Sequence, residues 1–201
     1  KSIVLGVNTD ELSQNDLIVS NASCTTNCSA PIIKLIDKKW GIKRGFLSTI
    51  HAYTADQRVN DSAHKDLRRA RAAATNIIPT STGAAKAISL VYPNVEGKID
   101  GSAFRVPVIT GSCIDVLLEL NSDFSVEEVN AEVLRASKEE LKGIVEFTVK
   151  EIVSSDIIAN TNSSIFDSKL TQNSNGLLKI VSWYDNEYGY SNRLVDLCGK
   201  V

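Results

Sequence analysis

Two cysteines four residues apart, Cys24 and Cys28, lie in "SNASCTTNCSAP", directly after the apolar run "DLIVS". Residues at i and i+4 share a helix face, so the pair could be a disulfide, half of a metal site, or a nucleophile and a bystander. Cysteines one helical turn apart are poorly placed for bridge geometry. Zinc needs three or four protein ligands; the chain has only His51 and His64 as imidazole donors and no second nearby cysteine pair, so no metal is expected. Two buried structural thiols are the plain alternative, because free cysteine is among the most buried residue types. Ser23 is a capping type, which puts Cys24 at a helix start, where unpaired N–H groups and the dipole favour negative charge. That placement lowers a thiol pKa from about 8.5 toward neutrality, the more so beside an imidazole. Cys28 lies a turn deeper, where the effect fades. The reading makes Cys24 the nucleophile and His51, which closes the apolar strand "KRGFLSTIHAYT", its acid–base partner. His64, beside Lys65, reads as an exposed loop residue.

A Cys–His pair serves peptidases, acyltransferases and aldehyde dehydrogenases alike. Arg58, Lys65, Arg68, Arg69, Arg71, Lys86 and Arg105 fall in the same half of the chain, with Thr25, Thr54, Ser81, Thr82 and Gly83 among them. Cations, hydroxyls and a glycine that admits close backbone approach make an oxyanion site. The competing readings of "LRRARAAA" are a solvated face or a subunit contact. A nucleic-acid patch is disfavoured, since no aromatics interleave and the net charge is −2.

The elements that must position these groups are legible from pattern. Ser23 caps a helix that runs through "PIIKLIDKKW", with Pro31 kinking it or seated in its first turns. "DLIVSNAS" reads as a short buried strand, and "IVLGVN" as the end of one. "GAAKAISLVYP" is a helix stopped by Pro93; "GSAFRVPV", "SCIDVLLEL", "VEFTV" and "LLKIVSWYD" are strands. "SVEEVNAEVLRAS" is a helix with Ser125 and Glu128 as a capping box. "NRLVDLCGKV" is a terminal helix. Strands and helices alternate and then strands cluster, which gives an α/β to α+β fold with a mostly antiparallel mixed sheet covered by helices.

The 201 residues are 43% hydrophobic and 23% charged, the balance of an ordinary globular protein. No run is long and apolar enough for a membrane span, and the start lacks the pattern of a signal peptide. Cysteines 24, 28, 113 and 198 are irregularly spaced, which fits a reducing compartment, and a cytoplasmic location is expected. The apolar start suggests a piece of a longer chain.

"SNASCTTNC", "HAYTADQR", "HKDLRRARAAATNIIPTSTGAAKA", "RVP" and "SWYDNEYGYSNR", in this order, resemble phosphorylating glyceraldehyde-3-phosphate dehydrogenases from about residue 3 onward. The resemblance implies Cys24 as catalytic cysteine and His51 as the histidine that activates it. It implies Thr54 and Arg105, with Asp56 nearby, at the substrate phosphate, and Ser23, Thr25, Arg69, Thr82 and Gly83 at the inorganic phosphate. Asn186 resembles the residue that fixes the nicotinamide carboxamide, and Tyr190 one that packs near that ring. Residues 1–23 correspond to the end of a dinucleotide-binding (Rossmann) domain, 24–188 to the catalytic domain and 189–201 to a helix returning to the first. The implied cofactor is NAD; the small pair Ser62–Ala63 resembles members that admit NADP. The implied partners are glyceraldehyde 3-phosphate, inorganic phosphate and a homotetramer. No G-x-G-x-x-G occurs in these residues, so the isolated chain is expected to bind NAD poorly and not turn over. Two alternatives stay open: a dehydrogenase for a related phospho-aldehyde such as erythrose 4-phosphate, and, for the isolated chain, a non-catalytic interaction fragment.

Overall fold

A computed structural model describes residues 1–200. Its centre is an eight-stranded mixed sheet: β1 (Ile42–Ala52), β2 (Ile78–Ser81), β3 (Ile99–Val106), β4 (Ser112–Leu120), β5 (Val145–Thr148), β6 (Ser164–Asp167), β7 (Gln172–Ser174) and β8 (Leu177–Tyr184). The order is β2-β3-β1-β4-β8-β6-β5, with β7 beside β8. Pairs β1–β3 and β5–β6 are parallel; the others are antiparallel. Helices α1 (Cys24–Trp40), α2 (Ala84–Val91) and α3 (Val126–Lys138) share one core with the sheet, while α4 (Tyr188–Cys198) ends the described chain. The mixed, mostly antiparallel sheet under helices is the fold class read from the sequence. No described helix is long and apolar enough to cross a membrane.

The first helix and the first strand place the chemistry by length alone. Ser23 accepts from the Thr26 amide and starts α1; Gly41, at φ 67°, ends it, and β1 begins one residue later. Descending α1 from Cys24 to Trp40 covers about 24 Å at 1.5 Å per residue. Climbing β1 from Ile42 to His51 covers about 30 Å at ~3.3 Å per residue. The strand therefore brings His51 back to the level of Cys24. Ile32, Ile33 and Ile36 are fully buried on α1, and Leu47, Ile114, Val116 and Ile180 meet them from the sheet. Each such side chain contributes about 2 kcal/mol of burial. Pro31 is the eighth residue of an uninterrupted helix, well past the first turns.

Three further strand ends arrive at the same edge. Parallel β3 sets Arg105 opposite His51, and antiparallel β4 and β8 set Ser112 opposite Tyr184. The β7–β8 hairpin closes over Asn175 and Gly176, both at positive φ (52° and 88°), as a tight two-residue turn requires. The Ser125–Glu128 capping box on α3 is present with both of its bonds.

Two sequence readings are corrected. "DLIVSNAS" is not a buried strand: Leu17 and Ile18 are 96% and 82% exposed. The segment makes a single bridge, Ser2 to Ser20, which cannot bury an apolar run, and Ala22, at φ 56°, turns the chain into α1. The terminal helix starts at Tyr188, earlier than "NRLVDLCGKV", because the Asp185 carboxylate accepts the Glu187 and Tyr188 amides at 3.0 and 2.9 Å. Val201, the last residue of that reading, lies outside the described residues.

Gly111 joins β3 to β4 at φ 92°, and a Cβ there would drive into the Ser154 carbonyl. Its amide donates to Asn186 Oδ1 at 3.2 Å. Gly111→Ala is therefore expected to cost about 3 kcal/mol, as positive φ and overpacking add. Denaturant midpoints of the two proteins check this; an unchanged midpoint would show that the turn relaxes.

Candidate active site

Cys24 Sγ lies 3.4 Å from His51 Nε2. The thiol sits at the first residue of α1, half-buried, while the imidazole is buried at the end of β1. Tyr184, fully buried at the end of β8, supports the ring edge-on, with centroids 5.8 Å apart and planes at 74°. On the far side of the ring, His51 Nδ1 is 2.7 Å from the Ala52 carbonyl oxygen and 2.7 Å from Arg105 Nη1.

Electrostatics here differ from the sequence expectation in one respect. Burial pushes the Cys24 thiol up, and the Thr25 amide at the helix start and the Arg105 charge only partly offset it. Desolvation of the thiolate thus outweighs the helix end. Burial and the Arg105 guanidinium lower the His51 pKa to about 4. Cys28 is sealed inside, within 3.4 Å of Ser164 Oγ, with its thiol pushed up by burial to about 12.

The depressed histidine has a consequence for stability. An unfolded chain protonates His51 near pH 6.5, the folded one only near 4. In that window the unfolded state binds the extra proton. Stability is complete above about pH 6.5 and falls as the pH drops, by about 3 kcal/mol near the folded pKa. Denaturant titrations of the protein and of His51→Gln, above and below this window, should differ by that slope; parallel pH profiles would contradict it.

The proposed anion ligands are gathered unevenly. Arg105 is half-buried, has no carboxylate partner among the described residues, and keeps its Nε out of solvent without a partner. Arg69 is paired with Asp56 and Asp66, and its Nη2 donates to the Ser81 carbonyl at 3.3 Å. Thr54 is tied to Gln57, its hydroxyl 3.2 Å from Oε1. Thr82 accepts from the Ala84 amide at 3.2 Å, and Gly83, at the start of α2, faces open space. Ser23 caps α1 with its hydroxyl 2.7 Å from Thr26 Oγ1. Thr25 does not face an anion through its hydroxyl, which is buried and 2.8 Å from the Tyr184 hydroxyl.

Asn186 and Tyr190 come to the same edge. Asn186 Oδ1 accepts from Ser112 Oγ at 2.9 Å as well as from Gly111, so its amide nitrogen is the end left for a ligand. Tyr190 reaches the Ala22 carbonyl at 3.4 Å, two residues before the thiol. The sequence reading missed Tyr184 and Thr49, whose hydroxyls continue from Thr25 as a buried chain (Tyr184 to Thr49, 2.9 Å). Tyr184 lies within the quoted "SWYDNEYGYSNR".

A helix-start cysteine, a strand-end histidine and a guanidinium without a carboxylate partner, on a helix-covered mixed sheet, define a thiol site built beside a positive charge. Residues 23–186 match the family model of the glyceraldehyde 3-phosphate dehydrogenase C-terminal domain. The chain is 58% identical over 200 residues to a glyceraldehyde-3-phosphate dehydrogenase of Mycobacterium avium. It is 55% identical to that of Mycobacterium leprae and, over 198 residues, 54% identical to glyceraldehyde-3-phosphate dehydrogenase 2 of Streptomyces avermitilis. These alignments cover 98–100% of this chain but 59% of each relative. The chain belongs to the glyceraldehyde-3-phosphate dehydrogenase family.

Proposed function

We propose that the protein oxidises and phosphorylates glyceraldehyde 3-phosphate to 1,3-bisphosphoglycerate, with Cys24 as nucleophile and His51 as acid–base group. The observation that carries this reading is the 3.4 Å contact between thiol and imidazole beside an uncompensated arginine. The Cys24 sulfur adds to the aldehyde carbon, giving a thiohemiacetal, and His51 takes its hydroxyl proton as the carbon is oxidised. A nicotinamide, when bound, supplies the hydride acceptor for that step. Inorganic phosphate then attacks the resulting thioester carbon, the C–S bond breaks, and the acyl phosphate leaves.

The residues present suit a nicotinamide: Asn186 offers an amide nitrogen whose oxygen is already anchored, and Tyr190 stands beside the thiol-bearing turn. NAD is the proposed cofactor, with NADP admitted by the exposed Ser62–Ala63 pair. Turnover is proposed to need a dinucleotide-binding unit beyond these residues. Phe46, Phe104, Leu117 and Leu177 lie exposed on the sheet face that the helices leave bare, which supports a sheet-to-sheet contact in a homotetramer. A cytoplasmic setting is part of the proposal, on the irregular spacing of the cysteines.

The test is acylation of Cys24 by an acyl phosphate, which needs no hydride acceptor. The thiolate attacks the carbonyl carbon, a C–S bond forms, the C–O bond to phosphate breaks, and inorganic phosphate is released. Mass spectrometry should place one acyl group on Cys24. Labelling spread over Cys113 and Cys198, or absent, would overturn the reading.

A further inference from the structure

Asn175 and Gly176, the two residues of the β7–β8 turn, are the chain's one Asn–Gly pair. An asparagine before glycine carries its own reaction partner. The glycine amide nitrogen, once it loses its proton, can add to the asparagine Cγ, and glycine has no Cβ to hinder the approach. Both residues are exposed. The attacking nitrogen is nevertheless occupied: the Gly176 amide donates to Asn173 Oδ1 at 2.9 Å. Asn173 Nδ2 donates in turn to the Phe124 carbonyl at 3.4 Å, just before α3, which leaves its oxygen as the end turned to Gly176.

We propose that Asn175 is a site of spontaneous deamidation and that the Asn173 side chain sets its rate. Hydroxide removes the Gly176 N–H proton, and the nitrogen's electron pair forms a C–N bond to Asn175 Cγ. The bond from Cγ to the side-chain nitrogen breaks, ammonia leaves, and a five-membered succinimide ring remains. Water opens the ring at either carbonyl, giving aspartate or isoaspartate. Water and hydroxide are the only co-reactants.

The Asn173 bond acts on the first of these steps. An amide proton held in a hydrogen bond is withheld from hydroxide until that bond opens. Opening is easier here than in the sheet centre, because β7 is three residues long, exposed throughout and paired with β8 alone. Other exposed asparagines lack the glycine: Asn60 precedes Asp61, and Asn121 precedes Ser122. Either product places a carboxylate at the turn, and isoaspartate adds a backbone carbon to a loop that fits two ordinary residues. Leu177, next in the chain, lies on the bare sheet face, so the change falls at the rim of that face. None of this depends on the chemistry at Cys24.

The folded protein is aged at mildly alkaline pH, and its peptides are mapped by mass spectrometry for the amide-to-acid change. Asn175 should convert before any other asparagine, to a mixture of aspartate and isoaspartate. Asn173→Ala should speed the conversion by about five- to tenfold, the usual worth of one hydrogen bond. Asn173→Asp keeps the acceptor oxygen and should stay near the parent rate. In denaturant the parent and Asn173→Ala should convert at one rate, since the Asn173 bond exists only in the fold. An Asn175 that keeps its amide in aged Asn173→Ala overturns the site. Folded parent and Asn173→Ala proteins that convert equally fast overturn the role of Asn173, as does an Asn173→Asp protein as fast as Asn173→Ala.

Discussion

Cys24→Ser is expected to lower thioester formation by about four orders of magnitude or more, the scale seen when a covalent nucleophile is removed, while Cys28→Ser stays within about tenfold of the parent. The asymmetry follows from where the two sulfurs lie on one helix. Cys24 stands at the first turn, half-exposed, with His51 across from it at 3.4 Å. Cys28 is 0% exposed, packed against Ser164 and the Ser182 carbonyl, and its thiol is pushed up to about 12. No substrate reaches it, and it holds no appreciable thiolate at neutral pH. A serine there joins a hydroxyl pair already present, Ser164 and Ser182 at 2.7 Å, so its cost falls on stability, about 1–2 kcal/mol. Acyl incorporation and melting temperature, measured together on both variants, separate the two roles. Equal losses of acylation would remove the assignment of Cys24.

This asymmetry was legible in the sequence because it depends on local rules. A capping serine before Cys24 marks a helix start, and the i+4 position is one turn inside; the Ser23 bond to the Thr26 amide realises that rule. The strand ending on His51 was legible from an apolar run that stops at a histidine. That the two meet needed only the lengths of α1 and β1, since one residue joins them.

What was not legible depends on register. Arg105 reaches His51 across 54 positions of sequence, and Tyr184 reaches Thr25 across 159. A shift of one residue in β3 would turn Arg105 to the opposite face of the sheet, and no local pattern announces which register holds. The same limit explains the Thr25 error: its hydroxyl follows an anion by motif but follows Tyr184 by packing. Leu17 and Ile18 failed for a different reason, since an apolar run is buried only where a partner segment covers it. The depressed thiol pKa failed on magnitude. Helix-end stabilisation acts through one turn of amides, and at Cys24 the loss of solvent is larger.

His51→Asn is expected to lower oxidation of the aldehyde by about 10²–10⁴-fold, the range for a positioned acid–base group, while acylation of Cys24 by an acyl phosphate falls less. The two reactions ask different things of the imidazole. Oxidation requires a proton to leave a hydroxyl as the carbon loses hydride, and solvent is a poor acceptor in a site where His51 is buried. Acylation requires only that sulfur be ionised, since phosphate departs without needing a proton. Raising the pH supplies thiolate without the imidazole, because hydroxide then takes the sulfur's proton. In His51→Asn the acylation rate should therefore recover as the pH rises, and the oxidation rate should not. Asn keeps a polar end for the Ala52 carbonyl, so the fold is retained and the comparison reads chemistry. If both reactions fell equally and both recovered with pH, His51 would be a thiol activator alone, and the proton leaving the thiohemiacetal would have to go elsewhere.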